Sequence, residues 1–261
     1  MKEFDKYYYY QKSVQSPDAD VDFFDKTFKD LKGREAISLR EDFCGTFSIS
    51  CEWSKLNDSK QAVGVDLDLE PIEYGKENYL TQLNEDQKSR VQVIHGNVMS
   101  PENPKTDIVS ASNFSYFCFK TRSELKDYFS KALSSLKDDG MFVVDCFGGT
   151  DTTKPVEEET EHEEGFSYFW DQDSFDPVTN FAQFYIHFQR EGEEKREQVF
   201  SYDWRMWSIP EIKDLMLEVG FKKVVVMWEG TDEDGEGDSE FTPVEQGEDC
   251  ESWIAYVIGL N

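Results

Sequence analysis

The chain has 261 residues, 38% of them hydrophobic and 15% aromatic, and a formal net charge of −28 at pH 7. This length suits one α/β domain with an insertion. The negative charge repels phosphate backbones and the Lys and Arg residues are scattered, so we expect no nucleic-acid partner. Neither a signal-peptide pattern nor a run of eighteen apolar residues occurs, so we expect a cytoplasmic protein with no membrane partner.

The first segment, residues 1–19, contains four consecutive tyrosines, Tyr7 to Tyr10, and has no helical or strand periodicity. We predict an ordered aromatic arm there. The tyrosines either pack on the core or act as a flap over a ligand, because tyrosine offers an apolar face and a hydroxyl tip. Residues 20–261 are expected to form one domain, in which a first helix spans Val21 to Leu31 with apolar residues on one face.

A β-α-β unit follows, and the rest of the chain is organised around it. An apolar strand from Ala36 to Leu39 ends in acids, the turn Cys44-Gly45-Thr46 leads into a helix, and a second strand, Gln61 to Val65, ends at Asp66. The helix N-terminus offers free N–H groups, and an acid about twenty residues after the turn is what ribose recognition requires. The unit therefore predicts a cradle for a nucleoside cofactor.

The glycine content of the turn narrows the choice of cofactor. A dinucleotide fingerprint has three glycines, which let a pyrophosphate approach the backbone. Here only Gly45 is present, and Phe43 and Phe47 flank it. Aromatic bulk at those positions argues against a pyrophosphate, and so against a nicotinamide or flavin dinucleotide.

The same turn resembles motif I of the class I S-adenosylmethionine-dependent methyltransferases. Glu41 stands at the acidic position of that motif, Cys44-Gly45-Thr46 at its common Cys-Gly-Thr, and Asp66 at its ribose-binding acid. The chain departs from the motif at the two phenylalanines, which occupy positions where the family usually has glycine. The order of motifs extends the resemblance over roughly residues 33–150 and 208–261. It implies S-adenosylmethionine as the cofactor.

Two further strands end in residues that belong at the same edge of the sheet. Val91 to His95 is followed by Asn97 and Val98, and Asp107 to Ala111 is followed by Ser112 to Phe117. Open α/β sheets bind their ligands at the carboxyl ends of the strands. The segment after Ala111 also resembles the Gly-Asn-Ser-Phe segment of the glycine N-methyltransferase-like group. Both segments are therefore expected to face the site.

The second half of the chain changes from helical to β periodicity and back. After a fifth strand, Met141 to Cys146, residues 157–205 alternate in the β manner and predict an antiparallel insertion of about three strands that shapes the substrate site. Two more strands, Phe221 to Trp228 and Trp253 to Ile258, follow, and the last is expected to lie antiparallel between strands five and six. The expected fold is α/β, with a seven-stranded, mostly parallel, doubly wound sheet and the β insertion after strand five.

Two acidic stretches are predicted to be loops, and no metal site is predicted. Val156 to Glu164 reads as a linker that leaves the fifth strand. Thr231 to Glu240 has acids at alternate positions, as an EF-hand loop has, but Pro243 stands in place of the bidentate glutamate. The three histidines are far apart, and the five cysteines form no Cys-x-x-Cys pair, so neither residue type indicates a metal site.

The resemblance implies a set of site residues, and the function follows from them. The implied cofactor contacts are Asp66 on the ribose, Leu67, Asn97 and Val98 around adenine, Glu41, Cys44 and Gly45 at the methionine end, and Asn113 and Phe114 beneath the sulfonium. Tyr116 is the candidate for contact with the acceptor. In-line methyl transfer needs alignment and exclusion of water more than a catalytic dyad. We therefore predict a methyltransferase that acts on a small molecule.

Two other functions stay open at this point. One is a protein that binds S-adenosylmethionine and transfers no methyl group, and the other is an enzyme that uses the cradle for another nucleoside cofactor. Among acceptors, amines or carboxylates of metabolites come before protein side chains, and nucleic acid comes last because of the charge. The sequence leaves the identity of the acceptor and the oligomeric state open.

Overall fold

An eight-stranded mixed sheet forms the centre of the molecule, and a four-stranded antiparallel sheet lies beside it. The computed structural model describes residues 3–232 and 237–261. In chain order the strands are β1 (Ser38–Asp42), β2 (Gln61–Asp66), β3 (Val91–His95), β4 (Thr106–Ala111), β5 (Leu136–Gly148), β6 (Val156–His162), β7 (Phe166–Asp176), β8 (Phe181–Arg190), β9 (Arg196–Arg205), β10 (Lys223–Thr231), β11 (Gly237–Val244) and β12 (Trp253–Leu260).

Seven α-helices in the described residues surround the large sheet. They are α1 (Lys6–Val14), α2 (Pro17–Lys32), α3 (Ser48–Leu56), α4 (Leu69–Asn78), α5 (Glu85–Ser89), α6 (Arg122–Ser134) and α7 (Ile209–Val219). α2 and α3 pack on one face of the sheet around Phe24, Phe28 and Trp53, and α6 and α7 pack on the other. None of these helices is long and apolar enough to cross a membrane.

The strand order of the large sheet is β3-β2-β1-β4-β5-β12-β10-β11. The five strands β1 to β5 are mutually parallel, and β12 lies antiparallel between β5 and β10, as expected for the last strand. The expected count of seven is wrong, because β11 pairs antiparallel with β10 and adds an eighth strand at the edge. The order reverses between β1 and β4, which is where such sheets bind ligands.

Both acidic stretches contain strands that the sequence analysis assigned to loops. β6 pairs with β7 along its whole length, so the second sheet, β6-β7-β8-β9, has four strands where about three were expected. β11 begins at Gly237, inside the predicted loop Thr231 to Glu240; residues 233–236 of that stretch lie outside the described residues. Both are exposed edge strands, and partner strands supply the hydrogen bonds that hold their polar sequences in place.

The first strand runs farther than its apolar residues indicate. It was expected over Ala36 to Leu39, but β1 continues through three buried charged residues to Asp42. Arg40 Nε lies 2.8 Å from Asp42 Oδ1, and the hydroxyl of Tyr128 on α6 donates to Asp42 Oδ2 at 2.9 Å. These groups tolerate burial because they neutralise each other. The aromatic arm also differs from the expectation, since residues 6–14 form α1, with the Asp5 side chain capping its first turn.

Candidate functional site

In the turn after β1, every second residue has a positive φ. Phe43, Gly45 and Phe47 have φ values of 57°, 50° and 47°, so all three adopt the left-handed conformation. These are the three positions at which the resembling motif has glycine, and the two phenylalanines keep its geometry at a cost of about 1 kcal/mol or more each. Packing compensates: Phe47 is fully buried, and a Cβ on Gly75 would come within 2.5 Å of its ring. The turn thus has the left-handed backbone at all three positions, although only one of them is glycine.

The turn borders a cleft of about 180 Å³, which we call the turn cleft. The residues from Phe43 to Thr46 form one wall, and Asn113 at the end of β4 forms another. A Cβ built on Gly45 meets no heavy atom within 4 Å, so its backbone faces open space. Cys44 also lines the cleft, although its side chain is only 3% exposed. The two site residues predicted for this turn thus border one cleft.

Asp66 at the end of β2 holds the turn through hydrogen bonds to backbone N–H groups. Its Oδ2 accepts the Gly45 N–H at 2.7 Å, and its Oδ1 accepts the N–H of Asp68 at 2.8 Å. A carboxylate offers about four acceptor sites, so each oxygen retains the capacity for one more hydrogen bond. Leu67 follows with 67% of its surface exposed, which leaves an unusually bare apolar side chain next to the carboxylate.

The segment after β3 contributes less than expected. Val98 is 5% exposed and belongs to the core, whereas Asn97 is exposed. The Asn97 Oδ1 accepts the N–H of Met99 at 2.8 Å, so part of its acceptor capacity is used inside its own turn. Neither residue borders the turn cleft.

A buried carboxylate that the sequence analysis missed holds the segment after β4. Asn113 and Phe114 have φ values of 55° and 56°, and their N–H groups donate to the two oxygens of Asp145 at 2.6 and 2.8 Å. Burial raises the pKa of Asp145 to about 7. The signal was an acid inside the apolar run of β5, because a polar group in such a run needs a partner.

Two predicted site residues are turned away from the turn cleft. Tyr116 is fully buried, and its hydroxyl donates to the backbone oxygen of Asp145 at 2.7 Å. Glu41 is buried at the start of α3, where one of its oxygens accepts the N–H and the hydroxyl of Ser50 at 2.8 and 2.6 Å. Burial raises the pKa of Glu41 to about 8. Both side chains support the walls of the site and do not line it.

A second cavity, of about 290 Å³, adjoins the turn cleft beside the small sheet; we call it the aromatic cavity. Its walls consist mainly of rings, which include Phe114, Phe147, Tyr168, Trp170, Tyr202 and Trp204. Tyr10, Asn113 and Tyr202 line both spaces. We call the place where these three residues lie the junction of the two spaces.

Helix α1 covers this junction and connects the two sheets. On one side the Tyr74 hydroxyl on α4 donates to Asp5 at 2.9 Å. On the other side Ser13 lies 3.1 Å from His162 of β6, and the Tyr9 ring packs edge-on against Phe166 of β7. None of the residues of α1 is fully buried. The helix is thus held on both sides, and its Tyr7 and Tyr10 line the turn cleft.

One group of side chains away from the cavities has the composition of a metal site. His187 Nε2 lies 3.2 Å from Asp171 and 3.6 Å from Glu157, a cluster that the sequence did not indicate because strand pairing creates it. The Nδ1 of His187 accepts the N–H of Gln198 at 2.7 Å, so in the neutral ring Nε2 carries the proton and donates to the carboxylates. This geometry is that of a hydrogen-bonded ion cluster.

No protein-family model matches the chain, and no curated protein matches it.

Solved structures do match the fold over nearly the whole chain. A S-adenosylmethionine-dependent methyltransferase from Clostridium acetobutylicum has 16% identity and a TM-score of 0.70 over 96% of each chain. The CcbJ methyltransferase from Streptomyces caelestis has 17% identity and a TM-score of 0.67, over 94% of this chain and 96% of its own. The amino pentose methyltransferase CalS10 from Micromonospora echinaspora has 12% identity and a TM-score of 0.65 over 98% of each chain. The chain has the fold of the S-adenosylmethionine-dependent methyltransferases.

Proposed function

We propose that the protein transfers the methyl group of S-adenosylmethionine to a small molecule. The observation that carries the proposal is the pair of adjoining cavities at the carboxyl ends of β1 and β4. One space is bordered by a turn whose sequence resembles a methyltransferase motif, and the other is a ring-lined chamber. Two substrates that must meet need two spaces with one junction.

The turn cleft and its surroundings fit the proposed cofactor. Asp66 has one acceptor site left on each oxygen, as two ribose hydroxyls require. The exposed Leu67 would pack on the adenine ring, with Asn97 and Val98 at its far side. The open space in front of Gly45 would receive the methionine end, with Cys44 beside it. Asn113 and Phe114 would lie beneath the sulfonium, because they border the junction.

The chain's own residues would align the reactants and exclude water. S-adenosylmethionine, when bound, supplies an electrophilic methyl group. Asp145 holds the Asn113–Phe114 turn, and Glu41 fixes the start of α3, so both act as positioning residues. Helix α1 would cover the junction, and the ring walls would keep the acceptor dry. Tyr10 and Tyr202 replace Tyr116 as the hydroxyls proposed to contact the acceptor.

Calorimetric titration tests this assignment. We expect S-adenosylmethionine and S-adenosylhomocysteine to bind the wild type. Asp66→Asn should bind both at least ten times more weakly, because a charge-assisted hydrogen bond is worth about 1.5–3 kcal/mol. The matched control is Asp58→Asn, which removes the same charge from an exposed position before the amino end of β2.

The other outcomes identify the alternatives. Binding of NAD without binding of S-adenosylmethionine would assign the cradle to another nucleoside cofactor. Binding of S-adenosylmethionine without formation of S-adenosylhomocysteine across a broad panel of acceptors would indicate a binding protein. Either result contradicts the proposed transfer.

A further inference from the structure

The walls of the aromatic cavity offer few hydrogen bonds to an occupant. Most of its lining side chains are aromatic or aliphatic. Its polar groups are the hydroxyls at the tips of Tyr10, Tyr168 and Tyr202 and the side chains of Asn113, Glu158 and Ser252. A molecule with many hydroxyls would leave several of them unpaired in this space, which is unfavourable. The cavity therefore fits a ligand with an apolar body.

The lining that the structure describes contains one charged side chain, the carboxylate of Glu158. Glu158 lies on β6, where side chains alternate between the two faces of the sheet, so Glu157 and Glu159 point to the other face. Glu157 is paired there with Lys195 at 2.5 Å. No ion pair to Glu158 is found in the described residues, although Tyr168 lies close enough to feel its charge. The exposed carboxylate of Glu158 thus borders a space walled by rings, and it has no cation partner among the described residues.

Aromatic faces and a carboxylate together favour a cation. Rings such as Trp170 and Trp204 attract a cation through their negative faces, and the carboxylate adds a direct opposite charge. The net charge of −28 also raises the concentration of cations near the surface and repels anions. A carboxylic acid as acceptor would meet repulsion both at the surface and in the cavity.

We infer that the acceptor is a compact amine with an apolar or aromatic body, whose charged form is recognised by Glu158 and the rings of the aromatic cavity. This inference rests on the proposed function and names the substrate class of the same site. The cavity of about 290 Å³ accommodates a small molecule. The class differs from the amino pentose in the name of one structural neighbour, because a pentose would bring hydroxyls that this cavity does not match.

The transfer step balances without a further reactant. The amine first releases one proton to water at the cavity mouth and presents a neutral nitrogen. Its lone pair forms the new N–C bond while the C–S bond of the donor breaks, and that electron pair stays on sulfur. The product is an ammonium ion, and the Glu158 carboxylate compensates the positive charge that remains in the cavity.

Binding measurements test the inference separately from turnover. The probes are a panel of primary and secondary arylalkyl and alkyl amines, each with its neutral alcohol isostere, and glucosamine as a hydroxylated amine. Each probe is titrated into the free protein and into protein saturated with S-adenosylhomocysteine, with tryptophan fluorescence as the readout because Trp170 and Trp204 line the cavity. We expect at least one apolar amine to bind about ten times more tightly than its alcohol and than glucosamine.

Charge variants identify the residue responsible. In Glu158→Gln the advantage of the amine over its alcohol should fall about tenfold, and KM for the amine should rise by the same factor with kcat within twofold. The matched control Glu159→Gln removes the same charge one residue away on the opposite face and should change neither value. The affinity for S-adenosylhomocysteine should be the same in both variants and the wild type.

Three results would overturn the inference. They are a panel in which no amine exceeds its alcohol, tighter binding of glucosamine than of any apolar amine, and an unchanged amine preference in Glu158→Gln. If S-adenosylhomocysteine fails to bind while the amines still do, the proposed function is wrong and the amine site stands. If S-adenosylhomocysteine binds and the amine preference is absent, the substrate class is wrong and the cofactor site stands.

Discussion

Removal of the Asp145 side chain is expected to loosen the junction between the two cavities. The two oxygens of Asp145 accept the N–H groups of Asn113 and Phe114, whose backbones are held in the left-handed conformation. A buried donor left without an acceptor costs about 1–3 kcal/mol. Both donors are only partly buried and water can reach them, so Asp145→Ala should lower the free energy of unfolding by about 2–3 kcal/mol. Asp145→Asn keeps one acceptor oxygen, as the protonated carboxyl does, and should lose only about 1 kcal/mol or less.

Urea unfolding at pH 6 measures the difference in the free energy of unfolding between the wild type and Asp145→Ala. At this pH the folded carboxyl is mostly protonated, because the pKa of Asp145 is about 7. The folded pKa lies above the ordinary value, so the wild type loses stability as the pH rises through 7. The difference in the free energy of unfolding between the wild type and Asp145→Ala should therefore shrink by about 1 kcal/mol between pH 6 and pH 8. A loss below 0.5 kcal/mol at pH 6, or a gap that widens with pH, would refute the role assigned to Asp145.

Three further changes test other parts of the site. Burial raises the pKa of Glu41 to about 8, so the free energy of unfolding of the wild type should fall between pH 5 and pH 8. Glu41→Gln should reduce that fall, which urea unfolding at several pH values would measure. Gly45→Ala points a methyl group into the turn cleft at a positive φ, so it should weaken calorimetric binding of S-adenosylhomocysteine at least tenfold and lower stability by only about 1 kcal/mol; unchanged binding would show that the ligand lies elsewhere. Tyr116→Phe removes one buried hydrogen bond, so it should cost about 1 kcal/mol and leave kcat within about threefold of the wild type in a S-adenosylhomocysteine release assay; a loss of a hundredfold would restore Tyr116 as a catalytic residue.

The sequence predicted the β-α-β unit well because its signals are local. Apolar runs, a turn and an acid at the strand end are all visible within about thirty residues. In the structure the Gly45 N–H donates to Asp66. The extension of β1 was not visible, because the charges of Arg40 and Asp42 are buried by pairing with each other and with Tyr128, which lies 86 positions farther along the chain. Local reasoning read those charges as the end of the strand.

The edge strands and the lining of the cavities were missed for a related reason. β6 and β11 are polar and exposed, and only the neighbouring strands make them regular. Tyr116 was chosen because it follows β4, yet the left-handed residues before it turn its ring into the core. Glu158 was read as part of a linker, and its position opposite the rings depends on pairing with β7. Side-chain direction after a tight turn is a tertiary property that periodicity does not encode.

A crystal structure of the protein with S-adenosylhomocysteine would locate the cofactor relative to the two cavities. We expect both ribose hydroxyls to lie within hydrogen-bond distance of Asp66, and the sulfur to lie at the junction bordered by Tyr10, Asn113 and Tyr202, directed toward the aromatic cavity. A ligand bound outside the turn cleft, or one whose sulfur faces away from the aromatic cavity, would contradict the proposal that the two spaces bring a methyl donor and its acceptor together.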